Sequence, residues 1–187
     1  LLPYLYSEYM KAALHDGMYC MPLAFAFPQD AFARQVEDEV MIGESLLIAP
    51  VYEQNARGRY VYLPEEMLQV RVHCSQGNRI ETSVLPAGHH YIPVALEEVV
   101  FFVRKGHMLP LAKGGRDIQT VADVDFADLR LFAYAPDGAA YTYYTDDGET
   151  KDYDNPEHFV HITLDAKGTA QSDHAAVKVE AAPAPLG

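Results

Sequence analysis

Leu68-Gln69-Val70-Arg71-Val72-His73-Cys74 sets an apolar residue at every second position, and its reading governs the rest of the chain. Successive side chains of an extended strand point to opposite faces, so Leu68, Val70, Val72 and Cys74 share one face and Gln69, Arg71 and His73 the other. This is the pattern of a strand with one face in a core and one in water. Short apolar stretches precede it at residues 46–51 and 60–63. Similar strands are expected at 91–94, 99–104, 129–134, 141–145, 159–164 and 176–179. Turn signals separate them: Gln76-Gly77-Asn78, Ala87-Gly88, Lys105-Gly106, Pro136-Asp137-Gly138, Asp147-Gly148 and Lys167-Gly168. Many short strands at such spacing predict one or two antiparallel β-sandwiches.

Before residue 44 the rhythm differs. Leu2, Leu5, Tyr6, Tyr9, Met10 and Ala13 recur with a helical period, and His15-Asp16-Gly17 ends the helix with Gly17 as its cap. Met18 to Phe27 is almost unbroken apolar sequence, as expected of a strand buried on both faces of a parallel α/β sheet. Asp30 is placed to cap a second helix, with Phe32, Val36, Val40 and Met41 inward and Gly43 beyond. Helix, buried strand, helix is the rhythm of an α/β barrel, and there is room for one such unit. The expected fold is therefore mainly β: antiparallel β-sandwiches preceded by a short α/β remnant. The boundaries read as 1–42, 43–115 and 116–187. The seam falls near Lys113-Gly114-Gly115, and the Ala/Pro-rich tail 181–187 is expected to fray.

The chain has 187 residues, 49% of them apolar, enough to bury the core of one large or two small domains. Leu1 already lies within the helical repeat and is not Met, so a piece of a longer protein is expected. The net charge of −13, from 14 basic and 27 acidic residues, would repel phosphate backbones and argues against nucleic acid as a partner. No apolar run approaches the roughly 20 residues that span a bilayer, which argues against a membrane partner. Cys20 and Cys74 sit in apolar strand patterns without metal-ligand spacing. They read as buried free thiols, which suits a reducing, cytoplasmic setting.

Several constellations could carry chemistry. Glycoside hydrolysis needs two carboxylates about 5 to 9.5 Å apart across the bond. Asp146 and Asp147 are adjacent, so at a strand end they point to opposite faces, and Asp-Gly is a hairpin signal; a turn is the preferred reading. Asp146, Asp147, Glu149, Asp152 and Asp154 lack the alternation of an EF-hand loop and read as a solvated acidic loop rather than a calcium site. His158 and His161, three apart, fall on opposite faces of a strand, and His89-His90 stand in a turn without partners, so no zinc set converges. Tyr143, Tyr144 and Tyr153 are candidates for a sugar-stacking platform, against the commoner role of strand packing. On its own residues the chain offers no catalytic, substrate-binding or metal site.

Five segments, in order, resemble glycoside hydrolase family 31 enzymes of the α-glucosidase type. Leu1-Leu2-Pro3-Tyr4-Leu5-Tyr6-Ser7 resembles a late helix of the family's TIM barrel. Pro22-Leu23 with Phe25-Ala26-Phe27-Pro28 and Asp30 is similar to its last barrel strand and following loop. Residues 42–51 (Ile-Gly-Glu-Ser-Leu-Leu-Ile-Ala-Pro-Val), with Arg59-Tyr60-Val61-Tyr62-Leu63-Pro64, resemble the entry to the proximal C-terminal β-sandwich. Phe102-Val103-Arg104-Lys105-Gly106-His107-Met108-Leu109-Pro110 is similar to that sandwich's closing strand. Tyr144-Thr145-Asp146-Asp147-Gly148-Glu149-Thr150 resembles a hairpin of the distal β domain. Two departures bear on subgroup and substrate preference: Met21 stands where the family usually has Arg, and Glu65-Glu66-Met67 where a Trp usually follows.

The resemblance implies the end of a barrel followed by proximal and distal β domains. The parent enzyme would cleave terminal α-glucosidic bonds with retention, through an Asp nucleophile and an Asp acid/base upstream of Leu1. It implies an α-linked gluco-oligosaccharide as substrate and the upstream barrel as the partner of this region, with a homo-oligomer possible. No metal or organic cofactor is implied, and no family site residue maps onto 1–187. A non-catalytic sugar-binding sandwich remains open, as do an α-xylosidase or transglycosylase of the same family and a purely structural scaffold.

Overall fold

The computed structural model describes residues 1–76, 79–113 and 118–181. Gly77-Asn78 of the first expected turn, Gly114-Gly115 of the seam and the tail 182–187 lie outside the described residues. The chain forms two compact units, one of Cys20–Lys105 and one that joins Leu1–Tyr19 to residues 106–181. Residues 20–42 thus share a unit with the strands that follow them.

The unit of residues 20–105 carries eight strands: β1 (Cys20–Pro22), β2 (Val40–Ile42), β3 (Leu46–Ile48), β4 (Gly58–Leu63), β5 (Met67–His73), β6 (Arg79–Leu85), β7 (Gly88–Pro93) and β8 (Glu98–Arg104). Six form one sheet in the order β1-β2-β3-β8-β5-β6, and β4 pairs with β7 in a separate ribbon. Every pair is antiparallel. Met41, Leu47, Met67 and Phe102 of the sheet and Val61, Leu63 and Ile92 of the ribbon meet in one buried cluster with Leu23 and Ala33. Full burial of a large apolar side chain contributes roughly 1.5–3 kcal/mol, against about 0–1 kcal/mol for an exposed ion pair. This cluster, not surface charge, joins the two layers.

Two expectations for the first segment are corrected here. Met18 to Phe27 is not a strand buried on both faces. Only Cys20–Pro22 is extended, as an antiparallel edge strand with Cys20 and Pro22 exposed. Pro22 has no N–H to give to a ladder, and it leads directly into one helical turn, Leu23–Ala26. The second helix is also absent. Asp30 does cap, with Oδ1 accepting from the N–H groups of Phe32 (2.8 Å) and Ala33 (3.1 Å). The turn it starts stops after Ala33–Gln35, and Val36 is already extended. One turn fixes many dihedrals for little return, and the acidic run Glu37-Asp38-Glu39 gives it no apolar stripe on which to propagate. Val40 and Met41 instead join β2.

The second unit opens with α1 (Leu2–Leu14), which packs on β9 (His107–Ala112) and β11 (Ala139–Tyr144). The helix ends as expected, except that Asp16 takes the left-handed conformation (φ 53°) while the Gly17 N–H closes on the Ala12 carbonyl at 2.9 Å. Strands β10 (Asp128–Tyr134), β12 (Phe159–Leu164), β13 (Ala170–Ser172) and β14 (Lys178–Ala181) complete two sheets, β14-β10-β9 and β11-β12-β13. Pro110 sits in β9, an edge strand, where a missing N–H is tolerated. The expectation of a mainly β, antiparallel fold is met, with one exception. β14 runs parallel to β10, because the chain crosses the β11–β13 sheet before returning.

Candidate functional site

The residues that the sequence singled out in the second unit are spent on holding it together. Tyr6, from the first turns of α1, donates its hydroxyl to Asp146 Oδ2 at 2.8 Å, and Tyr144 donates to the same oxygen at 3.2 Å. Asp147 accepts from the N–H groups of Thr150 (2.8 Å) and Glu149 (2.9 Å) and from the Thr150 hydroxyl. The Thr150 hydroxyl and then these N–H groups hold the Asp147 carboxyl down at about 2. A general acid needs the opposite shift, so Asp147 is a turn residue. Gly148 (φ 70°) completes the turn.

The acidic loop resolves into similar local bonds. Asp152 accepts from Asn155 Nδ2 at 3.0 Å and lies 3.2 Å from His158 Nε2. Glu149 and Asp154 are exposed. Among the described residues no group of three or more His, Cys, Asp or Glu side chains could hold a metal ion. The histidine placements need correction. His158 belongs to the helical turn Pro156–His158 and His161 to β12, so they share no strand. His89 and His90 are in β7, not in a turn, because Gly88 already begins the strand and the two pair with Tyr62 and Val61 of β4. His89 packs edge-on against Phe32 at 4.4 Å between ring centroids, and His90 Nε2 lies 2.8 Å from the Pro86 carbonyl. Tyr143 and Tyr144 are fully buried and Tyr153 alone is exposed, so these three form no platform. Cys20 and Cys74 are free but exposed, not buried. Each stands at a strand end, where the alternating pattern no longer fixes the face.

Two groups in residues 20–105 escaped the sequence reading. The first lies on β5. Arg71 and His73, on the phase read as solvent-facing, are largely shielded: Arg71 pairs with Glu98, and His73 sits 3.1 Å from Glu98 and 3.2 Å from Glu81. Arg71 also donates to the Pro93 carbonyl across to the ribbon at 2.8 Å. The N–H of Ala95 and then Arg71 hold the Glu98 carboxyl below its usual range. These side chains line a cavity of about 1210 Å³ with Arg59, Val100 and Phe102. The only sequence signal was three strong polar residues in register with a Met that is itself core.

The second group is Glu39. Its side chain is 2% exposed. Oε1 accepts the Tyr62 N–H at 2.7 Å, while Oε2 has no hydrogen-bond partner among the described residues. Burial raises its pKa to about 7, against the Tyr62 N–H and Arg59. Arg59 comes no nearer to Glu39 Oε1 than 3.9 Å, because its guanidinium bonds to Asp38 and to the Asp38 and Pro50 carbonyls. Beside Glu39 opens a cavity of about 410 Å³ walled by Phe32, Tyr52, Tyr60, Tyr62 and His89. The sequence reading placed residue 39 within the expected second helix and did not single it out.

Residues 17–109 match the family described as Glycosyl hydrolase family 31 C-terminal domain. The chain carries the C-terminal domain of glycosyl hydrolase family 31. Among curated relatives it is 31% identical to a 1,6-alpha-glucosyltransferase of Sporosarcina globispora, over 85% of this chain and 12% of that protein. It is 26% identical to Alpha-glucosidase 2 of Bacillus thermoamyloliquefaciens, over 91% of this chain and 22% of that protein. The fold matches the GH31 alpha-xylosidase of Xanthomonas citri with a TM-score of 0.72 at 23% identity, over 100% of this chain and 19% of that one. This family 31 region thus spans between about a tenth and a quarter of the curated relatives it matches.

Proposed function

We propose that this chain is the supporting C-terminal part of a retaining family 31 glycoside hydrolase that cleaves terminal α-glucosidic bonds of oligosaccharides. The observation that carries the reading is the family match over residues 17–109 within relatives several times longer. The two carboxylates of such a reaction then belong to a portion outside these 187 residues. One attacks the anomeric carbon to form a glycosyl-enzyme; the other protonates the leaving oxygen and then takes a proton from water. Arg71, Glu98 and the packed layers serve the stiffness of this region, and the chain alone is inert toward glycosides.

The test is hydrolysis of p-nitrophenyl α-D-glucoside and maltose by the full-length gene product and by the 187-residue chain. Turnover by the first alone is expected; turnover by the chain would overturn the reading. Silence from both would remove the α-glucosidic assignment. The glucosyltransferase relative favours a second reading in which a sugar hydroxyl replaces water in the last step. Transfer products in excess of free glucose at high maltose would establish it.

A further inference from the structure

The cavity beside Glu39 has the makings of a ligand site that the reaction above does not use. Its floor is the outer face of the β4–β7 ribbon, where Tyr60 and Tyr91 face each other across the strands with ring centroids 5.2 Å apart. Tyr60 is 72% exposed, an unusual cost for so large a ring on a strand. One wall is a packed triad in which Tyr62 lies 4.7 Å from Phe32 and 5.0 Å from His89. Asp30 accepts the Tyr62 hydroxyl at 2.6 Å and so fixes that ring. Tyr52 also lines the cavity, tied by its hydroxyl to Asp38 at 3.1 Å. Between the aromatic walls the lining is polar, with Gln35, Glu37, Asp38 and Glu39, and 410 Å³ falls in the usual range for a small-ligand site.

Glu39 supplies the buried polar element. A buried carboxylate oxygen with no donor is destabilising, a cost that an apolar residue at this position would avoid. Glu39 lines the cavity, and a turn of its side chain would bring the sealed Oε2 to a donor held there. The ligand must therefore offer hydroxyl donors at its edge and flat C–H faces that lie against aromatic rings. A pyranose does both. An anion would be repelled by Asp38 and Glu39, and a flat apolar molecule would leave Oε2 as it is.

We propose that this cavity is a non-catalytic subsite for one pyranose ring of an α-glucan, with Tyr60 and Tyr52 stacking on the sugar and Glu39 accepting a hydroxyl. The proposal rests on the carbohydrate reading above, yet it is tested without catalysis. The probe is retardation of the 187-residue chain in native gels that contain soluble starch or dextran. The expected result is retardation by at least one glucan, weakened at least five-fold in Tyr60→Ala, kept in Tyr60→Phe and weakened in Glu39→Gln. Tyr153→Ala, an exposed tyrosine of the other unit, is expected to bind as the parent does.

Absence of retardation by both glucans overturns the subsite, as does equal retardation of Tyr60→Ala and the parent. If the chain self-associates and Tyr60→Ala abolishes that without changing retardation, the face is a protein contact and the subsite falls. A wholly inactive full-length enzyme would sink the hydrolase reading and leave these gels to decide the subsite by themselves.

Discussion

The Tyr6 hydroxyl lies 2.8 Å from Asp146 Oδ2, although 140 residues separate the two along the chain. The Asp-Asp-Gly hairpin, which by its carboxylates invites a catalytic reading, is here the socket for the opening helix. Beside this bond, Ser7 Oγ accepts the Tyr144 N–H at 2.8 Å, and Tyr141 donates to Glu8 Oε1 at 2.5 Å. Lys11 pairs with Glu8 and lies 4.1 Å over the Tyr141 ring. The helix is held by a row of polar contacts on one face, with Tyr4 packed against Tyr141 beneath them.

Asp146→Ala removes the acceptor of both Tyr6 and Tyr144. A hydrogen bond to a charged group contributes about 1.5–3 kcal/mol, so a loss of roughly 2 kcal/mol is expected in urea unfolding of the chain. Hydrolysis by the full-length gene product should not change. A hundred-fold fall in kcat with normal stability would return Asp146 to the catalytic candidates.

Gly58 fixes the register of the ribbon. Its φ is 153°, and a Cβ there would stand 2.4 Å from the Ile92 carbonyl oxygen and 2.8 Å from Pro93 Cα. Both obstacles are backbone and cannot step aside. Gly58→Ala should cost on the order of 1–3 kcal/mol through forced separation of β4 from β7. Thermal unfolding reads this directly. An unchanged midpoint would mean that the ribbon does not approach so closely.

The strand pattern was legible where one face is apolar and the other polar, as in β12, whose bounds match the reading residue for residue. It failed where tertiary pairing overrode local signals. Met18–Phe27 is apolar throughout, and that run outweighed the local signal of Pro22, which ends the strand and starts a helical turn. β5 misled in a different way. Its alternation is real, but Arg71 and His73 lie in the Met67 phase, and the Arg71 ion pair with Glu98 and the His73 contacts with Glu98 and Glu81 let polar groups take a position that polarity alone assigns to water. Glu39 could not be found from sequence, because nothing in the run Glu37-Asp38-Glu39 marks which carboxylate the fold buries. Only the fold places Tyr62 N–H on its carboxylate.

Cys20 and Cys74 test the fold at two strand ends. Both thiols are free and exposed. Ellman's reagent should therefore titrate two thiols in the native chain without denaturant. Titration only after unfolding would restore the buried placement that the alternating pattern suggested.

Glu39 gives the pH dependence with the clearest sign. Its folded pKa of about 7 lies above the ordinary carboxylate value, 4.5, that it recovers on unfolding. The native state therefore holds the proton more tightly, and this contribution is fully present below about pH 4.5 and is lost as pH rises through 7. The carboxyls of Asp147, Asp30 and Asp123 are lowered and work in the opposite direction, with their losses confined to more acid solution. Comparison with Glu39→Gln isolates the group, since Gln keeps an acceptor for the Tyr62 N–H. The variant should match the parent near pH 4.5 and exceed it at pH 8 by roughly 1–3 kcal/mol, as read from urea midpoints. A parallel pair of stability curves from pH 4.5 to 8 would mean that Glu39 ionises normally in the fold, with solvent or a cation reaching Oε2.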